Sequence, residues 1–199
     1  MSEIIEDQQC YITRVTRLER IVVVGVTGSG KTTLARQVAA QLDLPHIELD
    51  ALYWDANWTQ VVSELFRERV AQALAGACWV TDGNYSKVHD LTWGQADTVV
   101  WLDYGLWRIL MRLVIRTFRR ALTQEELWNG NRESLPKFLF TRDSLLLWAL
   151  KTYYPKRRKY LAAQADPMHA HLDIVRLRTP RETQKWLASL PVRRKDMNV

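Results

Sequence analysis

The sequence predicts an α/β protein in which a five-stranded parallel sheet carries helices on both of its faces. Five short runs with strand character alternate with longer helical patterns, and they lie at about 21–24, 46–49, 78–81, 98–102 and 173–177. The run Ile21–Val24 is apolar throughout, which is typical of a parallel strand covered on both sides. Strands that alternate with helices pair in parallel through crossover connections. Such sheets bind ligands at the carboxyl ends of their strands, so we expect the chemistry there.

The helical patterns divide the chain into one main domain and two flanking segments. We predict helices at about 31–42, 60–75, 106–121, 142–164 and 180–190. Thr59 is expected to cap the second helix, and Pro155 to bend or interrupt the fourth. The polar and aromatic stretch 122–141 is interpreted as a lid. The predicted organisation is an N-terminal extension at 1–19, a domain at 20–190 and a basic tail at 191–199.

Composition favours a folded protein and excludes the membrane-spanning and disordered classes. The chain is 47% hydrophobic and 25% charged, which supports one domain with a sizeable core. We find no apolar run of membrane-spanning length and expect no signal peptide. The cysteines, Cys10 and Cys78, form no spaced pattern that predicts a disulfide framework or a metal site. Together these features lead us to expect a location in the reducing cytoplasm.

Positive charge is concentrated in the middle of the chain. Residues 1–104 contain eight Lys and Arg against fourteen Asp and Glu, whereas residues 105–160 contain thirteen against four. The net charge of +6 is therefore unevenly distributed. A basic stretch within an otherwise acidic chain predicts an element that faces an anion.

The segment Gly25–Thr32, here called the phosphate loop, matches the pattern G-x-x-x-x-G-K-[ST] at every fixed position. It lies between a predicted strand and a predicted helix, which is the context that phosphate binding requires. Its glycines allow backbone N–H groups to point at phosphate oxygens, and the helix adds the positive end of its dipole. Lys31 can reach the β- and γ-phosphates, and the Thr32 hydroxyl is placed for a bound Mg²⁺. The predicted binding residues are Gly25, Thr27, Gly28, Ser29, Gly30, Lys31, Thr32 and Thr33. The alternative is a glycine-rich turn followed by an accidental Lys-Thr pair.

Three other predicted strands end at a carboxylate. Asp82 is expected to hold Mg²⁺, directly or through water; the alternative is that it caps the next helix. Asp103 precedes a Tyr-Gly turn, so for this residue capping is favoured over metal binding. Asp50 is expected to orient an acceptor hydroxyl and to accept its proton, with Tyr53 and Trp54 as an aromatic wall. The alternative for Asp50 is an ordinary loop residue.

Histidines are assigned no role at this stage. His46 and His89 are isolated in the sequence and are interpreted as bystanders. His169 and His171 have no other metal-ligating residues nearby, so no metal site is predicted there.

The predicted helix 106–121 carries a row of arginines. Arg108, Arg112, Arg116 and Arg120 are four residues apart and share one side of the helix, and Arg119 lies nearby. Like charges at this spacing repel one another, and a bound polyphosphate would relieve the repulsion. The arginines proposed to close over the same anion are Arg132, Arg142, Arg157 and Arg158. The alternative is a solvated basic face or a set of salt-bridge partners for the acidic half.

With these residues in place, the chain resembles the adenylate-kinase-like group of P-loop kinases, and within it the bacterial "topology modulation protein" group. The likeness covers about residues 20–190 and includes Trp79–Ser86, Arg116–Arg120 and Gly130–Ser134; the Asp-Gly-Asn-Tyr and Gly-Asn-Arg-Glu stretches within it are the more specific motifs. The resemblance implies a three-layer P-loop NTPase fold of the nucleotide-kinase type with a helical lid. It also implies that Asp82 is the carboxylate on the Mg²⁺ side, that Arg116, Arg119 and Arg120 contact ATP, and that Arg178 lies along the adenine. Adenylate kinases continue Asp-Gly-Phe-Pro-Arg where this chain has Asp-Gly-Asn-Tyr, which argues against AMP as the acceptor.

Two functions follow as hypotheses. The first is an ATP-dependent kinase that uses Mg²⁺ and transfers the γ-phosphate to a nucleotide or a small hydroxyl metabolite. Its expected catalytic residues are Lys31, Asp50, Asp82, Arg116 and Arg120. The second is a nucleotide-controlled regulator that binds nucleic acid through the arginine row and the basic tail. No helix-turn-helix pattern or aromatic RNA-reading motif favours the second hypothesis.

Overall fold

A five-stranded parallel sheet organises the protein. The computed structural model describes residues 18–123, 126–131 and 145–192. The strands of the sheet are β1 (Arg20–Gly25), β2 (His46–Glu48), β5 (Trp79–Asp82), β6 (Thr98–Leu102) and β7 (Asp173–Leu177). They lie in the order β2-β5-β1-β6-β7, and every neighbouring pair is parallel. A separate antiparallel pair, β3 (Trp54–Asp55) and β4 (Thr59–Gln60), lies outside this sheet.

Helices connect the strands. They are α1 (Lys31–Leu42), α2 (Leu49–Tyr53), α3 (Ser63–Ala73), α4 (His89–Thr92), α5 (Leu106–Thr123), α6 (Leu145–Ala165) and α7 (Pro180–Ser189). Single 3₁₀ turns occur at Ala56–Trp58, Ser86–Val88, Trp128–Gly130 and Pro167–His169. The predicted α/β class with a five-stranded parallel sheet is confirmed.

Alternate residues of β1 belong to two different apolar layers. Ile21 and Val23 pack with one cluster, which includes Leu34 and Val38 of α1. Val22 and Val24 pack with the other cluster, which contains the fully buried Trp79 and Trp101. Because successive strand side chains point to opposite faces, this division shows that both faces of the sheet are covered. β1 is therefore a buried, central strand from which the phosphate loop continues.

Several predicted boundaries shift in the structure. The second strand ends at Glu48, and Asp50 lies in the short helix α2 rather than in a loop. The prediction for Thr59 is wrong, because this residue belongs to β4 and α3 begins only at Ser63. Helix α6 runs without interruption through Pro155.

Parts of the predicted organisation lie outside the described residues. These parts are residues 1–17, most of the predicted lid and the tail from 193 onward. Cys78 is disulfide-bonded and packs against the apolar cluster that includes Leu34, although the cysteine spacing predicted no disulfide framework. In the described part of the chain, no helix combines the length and the apolar character needed to cross a bilayer.

Candidate active site

The phosphate loop curls between β1 and α1 through residues that only glycine accommodates easily. Gly28 has φ 80°, and a Cβ there would lie 3.1 Å from the Ile109 carbonyl oxygen. Gly30 has φ 97° and caps α1 in a left-handed conformation. A side chain at either position would strain the loop or push α5 away. The glycine spacing seen in the sequence is therefore required by the backbone path and by the close approach of α5.

The loop and the start of α1 fit a phosphate group. No side chain caps the N-terminus of α1, and its first turn contains no acidic residue. The N–H groups of that turn are therefore available to an external anion, and the helix dipole favours one. The Ser29 hydroxyl is fully buried in the loop without a hydrogen-bond partner.

Lys31 lies at the same point. Its ammonium group donates to the Val26 carbonyl at 3.3 Å. Burial is the main cause that lowers its pKa, and Arg116 lowers it further, whereas Asp50 and Asp82 raise it. A bound triphosphate would supply the negative charge that this partly desolvated ammonium lacks.

Thr32 and Asp82 meet on the other side of the loop. The Thr32 hydroxyl donates to Asp82 Oδ2 at 2.6 Å, and His46 Nε2 lies 2.9 Å from Asp82 Oδ1. Hydroxyl and carboxylate oxygens are ligands that Mg²⁺ accepts, and a nucleotide would supply further oxygens. Among the described residues, no group of three or more His, Cys, Asp and Glu side chains is arranged to hold a metal by itself. The arrangement therefore fits an ion that arrives with phosphate.

Asn84 joins the phosphate loop to α6. Its side-chain nitrogen donates to the Gly25 carbonyl at 2.5 Å, and its oxygen accepts from the Tyr160 hydroxyl at 2.8 Å. The Gly25 N–H also points at this oxygen, at 3.4 Å. Asn84 thus fixes the first residue of the phosphate loop against a helix that lies 120 residues later in the chain.

Asp50 faces the phosphate loop from α2. The Tyr85 hydroxyl donates to its Oδ1. Burial is the main cause that raises the pKa of Asp50, whereas the Tyr85 hydrogen bond and the charge of Lys31 oppose the shift. A carboxylate with a raised pKa beside a phosphate loop is suited to accept a proton from a hydroxyl.

Lys156 is the cation on the same side as Asp50. Its neighbours on α6 contact the strand ends: the Tyr153 hydroxyl donates to the Tyr104 carbonyl at 3.2 Å, and the Tyr160 hydroxyl contacts Asn84. Residues three and four apart share a helix face, so Lys156 lies on the face that covers the site. Burial lowers its pKa to about 8, with a further contribution from the charge of Lys31, while Asp50 opposes the shift. The charge of Lys156 is therefore coupled to the charges of Lys31 and Asp50.

The arginine row borders the phosphate loop. Arg112 donates to the Ser29 carbonyl at 3.1 Å and packs its guanidinium over the Tyr104 ring. The charge of Arg116 acts on Lys31. Arg120 is half-buried, whereas Arg108 and Arg119 are exposed. Arg112 and Arg116 thus lie near the phosphate loop, and the binding of an anion by the arginine row stays a prediction.

The other predicted site residues lie at several places in the chain. Thr27 lies in the loop and is partly buried, whereas Thr33 is on the exposed side of α1. Arg178 is exposed at the carboxyl end of β7, where its backbone N–H donates to Glu182. Arg132 and Arg142 lie outside the described residues.

Asp103 has a structural role that sequence reasoning missed. Arg157 Nε lies 3.0 Å from its Oδ1, and Arg176 Nε lies 2.9 Å from its Oδ2. The guanidinium group of Arg176 also packs over the Trp101 ring at 4.7 Å. Asp103 is thus the centre of an ion-pair cluster rather than the helix cap that was favoured. Arg157, proposed as a residue that closes over the anion, is engaged in this cluster.

Sequence reasoning also missed His46 and Lys156. His46 was interpreted as a bystander, yet it contacts Asp82 across the β2–β5 pair. No signal in the sequence reveals this contact, because it depends on which strands pair. For Lys156, the signal was available in its spacing from Tyr153 and Tyr160, but only if the face of α6 that meets the sheet is known.

The comparisons with known proteins match the part of the chain that contains the phosphate loop, and the matches to sequence relatives cover only part of the chain. The family model described as "ATPase family associated with various cellular activities (AAA)" matches residues 21–85, about a third of the chain. A shikimate kinase of Bacteroides fragilis is 44% identical over 50 residues, which cover 25% of this chain and 27% of that protein. A shikimate kinase of Synechococcus elongatus is 24% identical over 140 residues, which cover 57% of this chain and 70% of that protein. The chain thus spans about a quarter of the length of the first of these relatives.

Solved structures with a related shape are also kinases by name. A gluconokinase from Sinorhizobium meliloti has a TM-score of 0.48 at 20% identity, covering 86% of this chain and 93% of the other. A shikimate kinase from Acinetobacter baumannii in complex with shikimate has a TM-score of 0.47 at 19% identity, covering 88% and 94%. These scores are too low to carry an argument about activity.

Proposed function

We propose that the protein is an ATP-dependent kinase that transfers the γ-phosphate to a small hydroxylated acceptor. The observation that carries the proposal is the position of Asp50 on α2, where this partly buried carboxylate accepts a hydrogen bond from Tyr85 and its charge acts on Lys31 of the phosphate loop. A phosphate-binding loop and a general base near it are two of the parts that phosphoryl transfer uses.

Each residue has a distinct role in this proposal. The backbone of the phosphate loop and Lys31 bind the phosphates, and Arg116 and Arg120 neutralise charge on the transferred group. Asp50 orients the acceptor hydroxyl and accepts its proton, while Tyr85 holds the carboxylate in place. Thr32 and Asp82 would hold Mg²⁺, which supplies electrostatic stabilisation of the phosphates when bound. Arg119 and Arg178 contact ATP in this proposal.

The acceptor in this proposal carries a negative charge as well as a hydroxyl group. The charge of Lys156 acts on Asp50, and in the described part of the chain no carboxylate forms an ion pair with this lysine. Shikimate, named for the curated relatives, is a hydroxylated acid of this kind. A small hydroxy acid would place its hydroxyl at Asp50 and its carboxylate at Lys156.

We also propose a subgroup and a cellular compartment for the protein. Asn84 and Asn131 belong to the motifs that resemble the "topology modulation protein" group, and both make several hydrogen bonds, which supports placing the chain near that group. An ATP-dependent reaction also supports the cytoplasm as the compartment. The nucleic-acid alternative gains no support from the described residues, because Arg112 is used against the phosphate loop.

A transfer screen tests the proposal. ATP, Mg²⁺ and the full chain are incubated with a panel of nucleotides, sugars and hydroxy acids, including shikimate and D-gluconate. We expect phosphorylation of at least one acid and its loss in Lys31→Ala, with an exposed-lysine variant, Lys151→Ala, as the control. Binding of ATP and Mg²⁺ by Lys31→Ala at wild-type affinity would contradict the assignment of the phosphate loop. Tight ATP binding without transfer to any panel member would contradict the proposed activity.

A further inference from the structure

The segment Glu126–Asn131, here called the docking segment, lies against the acceptor side of the site. It follows the arginine-bearing helix α5 in the chain and contacts the hairpin Trp54–Gln60, here called the acceptor loop. The acceptor loop begins directly after α2, the helix that carries Asp50. Neither the phosphate site nor the roles proposed above account for these contacts.

Asn131 makes the central contacts of this interface. Its side-chain nitrogen donates to the carbonyl oxygens of Asp55 and Trp128, each at 2.9 Å. Its side-chain oxygen accepts from the Trp58 N–H at 2.7 Å. Only 3% of the residue is exposed. Both N–H groups and the oxygen of one buried carboxamide are thus hydrogen-bonded to backbone groups of two separate segments.

The neighbours of Asn131 strengthen the same interface. Asn129 donates to the Trp54 carbonyl at 2.6 Å. The indole nitrogen of Trp128 donates to Glu48 Oε2 at 2.8 Å, and its ring packs edge-on against Trp58. These contacts reach from the end of β2 to the turn of the acceptor loop, on either side of Asp50.

Backbone strain is concentrated where the two segments meet. Asn57, Trp58 and Asn129 have φ values of 58°, 56° and 55°. Non-glycine residues adopt this left-handed region at an energetic cost, and Trp58 does so as a bulky residue. Such a conformation persists only where surrounding contacts hold it, and the Trp58 N–H is held by Asn131.

The contacts lead back to Asp50 through a short path. The Trp54 N–H donates to the Asp50 carbonyl at the end of α2, and the Trp54 carbonyl accepts from Asn129. On the far side of the loop, the Val61 N–H donates to the Tyr53 carbonyl at 3.0 Å. A shift of the acceptor loop would therefore move the backbone that carries the Asp50 carboxylate.

The geometry points to Asn131 as a positioning residue for the acceptor: it holds the acceptor loop in its strained shape and so fixes Asp50 and the wall that faces the acceptor. This inference rests on the proposed function, because it assumes that the acceptor binds beside Asp50. Asn131 acts through the backbone of the loop and touches neither the phosphates nor Lys31. Replacing Asn131 is therefore expected to change the kinetic constants for the acceptor and to leave the KM of ATP unchanged.

The kinetic test compares Asn131→Ala and Asn131→Asp with the wild-type protein. The aspartate keeps an oxygen for the Trp58 N–H but places a carboxylate against two carbonyl oxygens. We expect both variants to lower kcat and to raise the KM of the hydroxy acid acceptor about tenfold or more, since Asp50 and the wall that faces the acceptor are displaced together and small displacements of a reacting group are costly. The KM of ATP should stay within about twofold, because the phosphate loop is remote from the interface. Gln72→Ala, which removes an exposed carboxamide from α3, is the matched control.

Hydrogen exchange supplies a measurement that does not need turnover. Peptides covering 54–60 should exchange more slowly in the wild-type protein than in either Asn131 variant, while peptides from α1 are unchanged. Equal exchange at 54–60 would overturn the inference, as would equal changes in the KM values of ATP and acceptor. If neither variant folds, slow exchange of the Trp58 amide in the wild-type protein supports the inference, and fast exchange overturns it. If the wild-type protein phosphorylates no panel member, the proposed function fails, while hydrogen exchange still decides whether Asn131 holds the loop.

Discussion

The phosphate side and the acceptor side of the site differ in how the chain builds them. The centre of the phosphate side is one continuous segment, Gly25–Thr32, which lies between β1 and α1. The acceptor side takes Asp50 from α2, Tyr85 from the turn after β5, and Lys156 from α6. The docking segment then holds the acceptor loop from outside.

This difference separates what is common to phosphate-binding proteins from what distinguishes this one. A triphosphate is recognised by backbone N–H groups, so the same short loop suits many reactions. An acceptor is recognised by side chains from several elements, so its identity can change through one or two substitutions. We therefore expect substitutions on the phosphate side to lower ATP affinity. Substitutions on the acceptor side should lower the rate of transfer or raise the KM of the acceptor, without a change in ATP affinity.

Replacing the proposed general base should have the largest effect. We expect Asp50→Asn to lower kcat by about 10² to 10⁴-fold, since the amide cannot accept a proton. ATP affinity should be retained, because the phosphate loop keeps all its contacts. Steady-state kinetics with the acceptor found in the transfer screen, together with calorimetric ATP titration, provide the measurements.

The pH dependence sharpens the same prediction. Burial raises the pKa of Asp50, so activity should increase with pH through a value above the ordinary 3.8 as the carboxyl loses its proton. This acid limb should be absent in Asp50→Asn. An unchanged kcat in the variant would remove Asp50 from the mechanism and leave the acceptor side without a base.

The two sides also differ in how far they could be predicted from the sequence. The phosphate loop could be assigned because its residues are adjacent and its glycines have a direct backbone reason. Asp50 and Asp82 could be proposed because each ends a recognisable strand, and parallel strands bring their carboxyl ends to one edge. The ends of β6 and β7 were predicted at the observed residues, because their apolar runs are sharply bounded.

The remaining features depend on packing that a single sequence does not encode locally. Helix α6 exposes large apolar residues such as Trp148 and Tyr154, so no clear stripe identifies the face that covers the sheet. Arg157 was therefore expected at the site, where its neighbour Lys156 lies instead. Asn131 contacts Asp55 across 76 positions of the chain, and nothing local indicates that pairing.

Asp103 provides a contrast to Asp50: both lie just after a strand, but Asp50 acts on Lys31 whereas Asp103 binds two arginines. We expect Asp103→Asn to lower the free energy of unfolding by about 2–3 kcal/mol, since it leaves two arginines without their buried carboxylate. The exposure of Arg157, 41% of its side chain, keeps this value below that of a fully buried pair. Denaturant unfolding measures the change, and ATP affinity at a temperature where the variant is folded should equal that of the wild type. A selective loss of ATP affinity would place Asp103 on the phosphate side.

Substitution of Lys156 tests whether the acceptor is negatively charged. We expect Lys156→Met to raise the KM of an anionic acceptor about tenfold, corresponding to the loss of one charge-assisted contact. Lys156→Arg should retain most of the affinity, and Lys151→Met, an exposed change on the same helix, should have no effect. Kinetic constants measured with the neutral D-glucose and the anionic D-gluconate distinguish a loss of charge recognition from a general loss of activity. Equal losses for both ligands would argue against an anionic acceptor.

The same substitution should stabilise the protein near neutral pH. The folded pKa of Lys156 is about 8, below its ordinary value of 10.5, so the charged form is destabilised by folding. The penalty is fully present below pH 8 and declines as pH rises from 8 to 10.5, where the folded state gives up the proton first. Lys156→Met should therefore gain on the order of 1–3 kcal/mol at pH 7 and almost none above pH 10.5. A stability difference that does not change with pH would contradict this account.

His46 should have the smallest effect, because it acts through Asp82 and not on the phosphates. We expect His46→Phe to raise the Mg²⁺ concentration needed for half-maximal activity by about 3- to 10-fold, since Asp82 loses the N–H group that orients it. His46→Gln, which offers an N–H group from a similar position, should recover most of the difference. Magnesium titrations at saturating ATP distinguish the two variants. Identical titrations for wild type and His46→Phe would show that Thr32 alone orients Asp82, and the phosphate side would then be reduced to the contiguous motif and one carboxylate.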